Sequence, residues 1–386
     1  MKFLAVFGTR PEAVKIAPII KTLQRESSVE TRLCVTGQHR ELLDAALDFF
    51  SLRPDFDLQV MAPEQALNAL LAKLIERLDP VLVREQPDRV IVQGDTTTAL
   101  AAALAAFHRG IPVAHVEAGL RTYRGGQPFP EEYNRRAIGL TADLHFAPTR
   151  AARDNLLTER LGGEVFVTGN SGIDSLDLVL ARLDGDPVFR AGIDAALPPI
   201  RADRREILVT AHRRESLGAP FAAICAALAT LGERPDVGIL FPLHPHPVLR
   251  AAAETALRGL PNVHLLPPLG LPHFVRLMKR ARLILTDSGG VQEEAVALGK
   301  SLLVLRDATE RPEGVEAGAA LRVGTDPARI LHAAEHMLAA PPAPEVRSHL
   351  YGDGRAAERI TAALLGRPVD EFARDWPRIE SMRRIG

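Results

Sequence analysis

Short runs built almost wholly of valine, isoleucine and leucine recur along this chain, and stretches of helical character separate them. Strands buried on both faces have this composition, and parallel sheets covered by helices contain such strands. The runs at 3–7, 32–35, 89–92, 113–116, 144–146 and 165–167 read as strands. Helices fit 11–26 (with Pro18 expected to bend it), 42–50 and 99–108. The pattern starts again after Arg205, with strands expected at 207–210, 237–241, 263–266, 283–285 and 302–305. Helices fit between them, for instance at 221–230 and 289–298. This alternation predicts an α/β fold with two doubly wound parallel sheets, one in each half. The chain's 386 residues are enough for two domains with full cores. The expected division is 1–169, 170–365 and a charged tail, 366–386, that holds the only tryptophan, Trp376. The tail either packs back on the first domain or hangs free.

A formal net charge of −1 provides no field for nucleic acid or an anionic membrane surface, so neither is expected as a partner. No apolar stretch has membrane-spanning length, and the N-terminal apolar run is too short for a signal peptide core. Cys34 and Cys225 are two lone thiols in apolar runs. They form neither a disulfide framework nor a metal knuckle, which fits a reducing cytoplasm. An anionic ligand must then be gathered locally, by arginines and helix N-termini.

Doubly wound domains bind ligands at the carboxyl ends of their strands, and two of them would share a cleft there. The informative residues are therefore those just after strands. Gly8-Thr9-Arg10-Pro11-Glu12 follows the first strand; Arg10 with the helix-start amides could hold a phosphate, or the segment is an ordinary βα turn. Asp95, after Gly94 and before three threonines, reads either as a helix N-cap or as a carboxylate aimed into the cleft. Glu117 ends a strand among small residues, where an acid is costly unless paired or solvated; Arg121 is the candidate partner. Glu131 and Glu132 open a helix, and at least one of them can be there for the helix dipole alone. His212 shares its segment with Arg213 and Arg214, a cationic group suited to a leaving diphosphate. The His244-Pro245-His246 spacing lacks a clear set of further ligands, so no metal is expected. The sharpest local signal is Asp287-Ser288-Gly289-Gly290. Two glycines between a strand and a helix let backbone amides approach a phosphate. Glu294, one turn on, is within reach of ribose hydroxyls, whereas Glu293 is expected to be solvated.

At these residues the chain resembles the non-hydrolysing bacterial UDP-N-acetylglucosamine 2-epimerases. The matching segments are collinear, from Phe7–Glu12 through Gly37–Arg40, Gly94–Thr98, His115–Arg121, Pro130–Glu132, His212–Glu215 and Leu285–Gly290 to Thr309–Gly314 and Tyr351–Gly354. The resemblance implies a GT-B-like fold and a homodimer with no cofactor. It also implies reversible conversion of UDP-GlcNAc to UDP-ManNAc, in the cytoplasm and in the service of cell-surface polysaccharide synthesis. The implied route is anti elimination of UDP to a C1=C2 glycal, followed by re-addition. The resemblance gives acid–base work to Asp95, Glu117 and Glu131 and assistance of the departing UDP to His212. It places Arg10 and Lys15 around the phosphate and sugar, and Phe274, Ser288, Gly289, Gly290, Glu294 and Arg311 on the nucleotide. Some relatives carry a regulatory UDP-GlcNAc site, which Gln38, His39, Arg213 and His244 would fit. Glu41 and Lys73 stand where a glutamine and an arginine are expected in those relatives, so that site is expected to be weak or absent.

The chemistry accounts for this set. The C2 proton is weakly acidic and needs a well-placed carboxylate, and delivery to the opposite face needs a second donor. Rival readings are a GT-B glycosyltransferase, a hydrolysing epimerase, a relative acting on a diacetamido uronic acid and a nucleotide-sugar sensor. A glycosyltransferase would not need three carboxylates in the first half, and a sensor would be expected to lose them.

Overall fold

The computed structural model describes residues 1–37, 40–62, 65–124, 126–199, 201, 203–213, 217–340 and 348–372. Gln38, His39, Arg214, Glu215 and Trp376 lie outside them. The described residues form two compact units: Met1–Asp177 with Tyr351–Phe372, and Leu178–Leu350.

In the first unit the strands are β1 (Lys2–Phe7), β2 (Glu30–Val35), β3 (Phe56–Asp57), β4 (Arg89–Gln93), β5 (Val113–Val116), β6 (Leu144–Ala147) and β7 (Glu164–Val167). The helices between them are α1 (Arg10–Leu23), α2 (Arg40–Phe49), α3 (Leu67–Glu85), α4 (Thr97–His108), α5 (Glu131–Thr141) and α6 (Arg150–Thr158). The sheet order is β3-β2-β1-β4-β5-β6-β7, and every pairing is parallel. The order reverses between β1 and β4, the switch point at which doubly wound sheets open a crevice. β1 is buried from Phe3 to Phe7, as a central strand covered on both faces must be. α3 sets Leu70, Leu74 and Leu78 on one face at intervals of four, against the alanines of α4 (Ala99, Ala102, Ala106). α1 runs through Pro18 without interruption.

α7 (Ser171–Gly185) and α8 (Pro187–Ala195) lead to the second sheet. Its strands are β8 (Arg205–Thr210), β9 (Val237–Pro242), β10 (Val263–Leu266), β11 (Leu283–Thr286), β12 (Ser301–Val304) and β13 (Ala320–Arg322). The order is β10-β9-β8-β11-β12-β13, again all parallel, with the switch between β8 and β11. The accompanying helices are α9 (Ala219–Gly232), α10 (Pro247–Leu257), α11 (Leu271–Arg280), α12 (Gly289–Ala297), α13 (Pro312–Glu316) and α14 (Pro327–Ala339); α15 (Ala356–Leu364) follows. Phe221, Phe241, Leu283 and Leu303 lie in this unit's core.

The division differs from the one expected at 169/170. It falls inside α7, and residues 351–372 return to the first unit rather than belonging to the second. The reason is a set of ties. The Asn170 amide donates to the Tyr351 carbonyl at 2.7 Å. The Asp174 carboxylate accepts from the amides of Ala356 (3.3 Å) and Ala357 (2.8 Å), capping α15, which packs on α1. The start of the tail also packs on this unit: the Phe372 amide donates to the Val167 carbonyl at 2.8 Å, and Arg367 pairs with Glu26. Cys34 and Cys225 are buried free thiols, pushed up to about 12 and about 11 by burial, so both are protonated packing residues. Among the described residues no helix is long and apolar enough to cross a membrane.

Candidate active site

The sequence motifs fall after strands at or beside the two switch points, and each unit builds its own set. In the first unit, the turns after β1 and β4 are tied together by Glu12. Its carboxylate accepts from the amides of Gly8 (3.1 Å) and Thr9 (2.8 Å) and from the Thr96 hydroxyl (2.7 Å). Thr9 and Glu12 thus form a capping box on α1, which sets Arg10 as its first residue. Burial raises the Glu12 carboxyl above the usual carboxylate range despite these bonds. Thr96, not Asp95, caps α4: its hydroxyl accepts from the Ala99 amide at 3.0 Å. The capping role is therefore filled, and the Asp95 carboxylate instead meets Arg135 at 2.5 Å. His115 holds the preceding residue. Burial pushes its imidazole down to about 3, so it is neutral, and Nε2–H donates to the Gly94 carbonyl at 2.7 Å.

Glu117 follows β5 directly with a φ of 63°, a left-handed conformation that costs a non-glycine residue on the order of 1–3 kcal/mol. Its buried carboxylate accepts from Lys15 Nζ of α1 at 2.5 Å and from Gln93 Nε2 of β4. Arg121 is not its partner. That guanidinium makes a two-point pair with Glu159, the C-cap residue of α6, at 2.9 and 2.7 Å. The small residues after Glu117 have a packing reason too: a Cβ on Gly119, whose φ is 89°, would come within 2.1 Å of the Ala152 carbonyl oxygen. Glu131 is the first residue of α5. Its neighbour Glu132 is buried and structural, accepting from the amides of Thr122 (3.1 Å) and Tyr123 (3.0 Å).

In the second unit, the paired strands β8 and β11 end at Thr210 and Thr286, and His212 and Asp287 follow them. Asp287 is fully buried, and its Oδ2 accepts from the amides of His212 and Arg213, both at 2.8 Å. Its Oδ1 lies 3.5 Å from His212 Nδ1. His212 also stacks on His244, with centroids 5.4 Å apart and planes 6° from parallel. The sequence reading gave Asp287 no role; its pairing with a histidine 75 positions away has no signal in the sequence. His244 Nδ1 accepts from the His246 amide at 3.2 Å, so the H-x-H spacing here closes a turn. Among the described residues no group of three or more His, Cys, Asp or Glu is arranged to hold a metal ion.

Ser288, Gly289 and Gly290 lead from β11 into α12, and the side chain of Ser288, the N-cap residue, does not cap that helix. A helix start of this kind is suited to receive an anion. The two glycines differ. A Cβ on Gly290 would meet nothing within 4 Å, whereas one on Gly289 would sit 2.3 Å from Arg311 Nη1. Arg311 lies beneath the turn, 5% exposed, pairing with Glu293 at 2.8 Å and with Glu310, which also holds Arg306 at 2.9 Å. Glu293, expected to be solvated, is instead 2% exposed, because Arg311 arrives from the next loop to pair with it. Glu294 stands partly exposed on α12, and Phe274 lies on a different element, in the first turn of α11. Of the expected regulatory set, Arg213 and His244 adjoin His212, and Gln38 and His39 lie outside the described residues.

A family model described as UDP-N-acetylglucosamine 2-epimerase matches residues 21–365. A UDP-N-acetylglucosamine 2-epimerase of Yersinia pestis is 46% identical over 374 residues, covering 96% of this chain and all of the relative. The enzyme of that name from Escherichia coli strain K12 is 47% identical over 369 residues, covering 94% of this chain and 98% of the relative. The crystal structure of the Neisseria meningitidis UDP-GlcNAc 2-epimerase bound to UDP-GlcNAc superposes with a TM-score of 0.92 at 42% identity. It covers 95% of this chain and 100% of that one.

Proposed function

Because the chain belongs to the UDP-N-acetylglucosamine 2-epimerase family, we propose that it interconverts UDP-GlcNAc and UDP-ManNAc by eliminating and re-adding UDP. A carboxylate of the first unit takes the C2 proton. The C1–O bond to the β-phosphate breaks, its electron pair leaves with UDP, and a C1=C2 glycal remains. UDP then re-adds through its oxygen at C1, while a second carboxyl group delivers a proton to the other face of C2. The balance needs no oxidant or reductant. Asp95, Glu117 and Glu131 supply the proton-transfer groups, and His212 donates to the departing UDP. Arg10 and Lys15 serve the phosphate and sugar. Ser288, Gly289 and Gly290 hold the diphosphate, with Arg311 supporting the turn from below, and Glu294 and Phe274 meet the nucleoside. The reading rests above all on Glu117, a buried carboxylate in a strained backbone conformation, gripped by Lys15 and Gln93. Strain of this kind persists only where surrounding structure holds it, and it gathers at functional sites.

Product formed from UDP-GlcNAc in D2O is expected to carry deuterium at C2, read by proton NMR. Epimerised product that keeps its original C2 hydrogen would sink the elimination route. The family resemblance also supports a cytoplasmic homodimer that supplies cell-surface polysaccharide synthesis.

A regulatory second UDP-GlcNAc on Gln38, His39, Arg213 and His244 is weak or absent in this reading. Lys73 offers a point charge in place of an arginine fork, and its ammonium donates to the Val60 carbonyl at 3.0 Å. Glu41 adds negative charge where an anionic ligand would sit. A reaction started from UDP-ManNAc alone is expected to run without a lag. A long lag that a trace of UDP-GlcNAc abolishes would show a working regulatory site.

A further inference from the structure

Arg135 has no role in the reading above, yet its guanidinium is one of the most enclosed charges in the first unit. It is 4% exposed on α5. It reaches Asp95 Oδ2 at 2.5 Å, Glu132 Oε2 at 3.4 Å and the Leu120 carbonyl at 3.4 Å. Glu132 is itself fixed by two backbone amides, those of Thr122 and Tyr123. The adjacent Asn134 donates through Nδ2 to the Asp95 carbonyl at 2.9 Å. Consecutive residues of α5 thus hold both the side chain and the backbone of Asp95. Glu131 opens the same helix, and Arg135 stands four residues after it, on the same face. Here the planar fork spans two carboxylates in different directions, which a point charge on a flexible stem does not do.

We propose that Arg135 is a positioning residue for the epimerisation: it ties the Asp95 carboxylate to α5, the helix that Glu131 opens, and so fixes the two acids relative to each other. This rests on the elimination and re-addition reading, in which Asp95 and Glu131 move protons at C2. Proton transfer demands that the reacting groups be held in place, and a displacement of about 1 Å costs on the order of a hundredfold in rate. Arg135 therefore acts through Asp95 and on turnover, not through the nucleotide.

The test compares wild type with Arg135→Gln, Arg135→Lys, Asp95→Asn and the double variant Asp95→Asn/Arg135→Gln. UDP-ManNAc formation is followed by NMR, UDP binding by calorimetry and folding by circular dichroism. Arg135→Gln is expected to lower kcat by roughly thirty- to a hundredfold. KM for UDP-GlcNAc and Kd for UDP should stay within about threefold of wild type. Arg135→Lys is expected to recover at least about threefold over the glutamine variant but to stay about fivefold or more below wild type. The double variant should be no slower than Asp95→Asn alone, since residues that act as one unit do not add. A kcat within about threefold of wild type in Arg135→Gln, or losses that multiply in the double variant, would overturn the proposal. If Arg135→Gln does not fold, Arg135→Lys decides: full turnover in that variant overturns the proposal, and reduced kcat at unchanged KM supports it. Wild-type enzyme that performs no C2 exchange overturns the underlying reading, and this proposal with it. An active wild type alongside an active Arg135→Gln overturns this proposal alone.

Discussion

Glu117→Gln is expected to lower turnover of UDP-GlcNAc by roughly a hundredfold or more while UDP affinity stays within about threefold of wild type. The change keeps nearly the same shape and removes the group that moves the proton. It also disturbs the grip on that group. Glu117 accepts from Lys15 on one oxygen and from Gln93 on the other, and an amide offers only one acceptor to two donors. Circular dichroism and UDP calorimetry on the same preparation separate the two effects, because a lost fold moves both and lost chemistry moves neither. Asp95→Asn should behave alike, since Thr96 already fills the capping role and the helix start does not depend on Asp95. Near-normal turnover in a folded Glu117→Gln would reduce Glu117 to a tie between β5 and α1.

Arg311→Met is expected to destabilise the second unit by about 3–5 kcal/mol in urea unfolding, because it leaves Glu293 and Glu310 buried with a charge removed from between them. Gly289→Ala should act on the same network, since its methyl group would overlap the Arg311 guanidinium. Gly290→Val provides the contrast. Its side chain enters open space, so the fold should hold while UDP binding weakens at the helix start. If Arg311→Met instead loses UDP affinity with its unfolding midpoint unchanged, the arginine is a nucleotide ligand and not the underlayer of the glycine turn.

The two sheets were legible because their central strands are covered on both faces and must be apolar throughout: β1, β4, β8 and β11 each show as a run. Two of the four edge strands do not. β3 and β13 are Phe56–Asp57 and Ala320–Arg322, too short to form a run. The division within α7 left no mark either, because a continuous helix does not record which unit each of its turns packs on. At the site, positions were readable and partners were not. Asp95, Glu117, His212 and Ser288 follow strands, and the winding rule points to such residues. That Arg121 belongs to Glu159, Lys15 to Glu117 and Asp287 to His212 depends on which elements meet in space. The adjacent acids Glu293 and Glu294 show the same limit: an arginine supplied by a later loop decides which of them turns inward.

The return of residues 351–372 to the first unit makes the second unit an insertion in the sequence of the first. On the ribosome, where domains form as their residues emerge, the usual order is then inverted. The second unit has all its strands once β13 has been made, while the first still lacks the helix that covers α1 and that Asp174 caps. The part of the protein that is synthesised first is thus the last to be complete, and until α15 arrives the buried face of α1 toward it stays open to solvent and to chaperones.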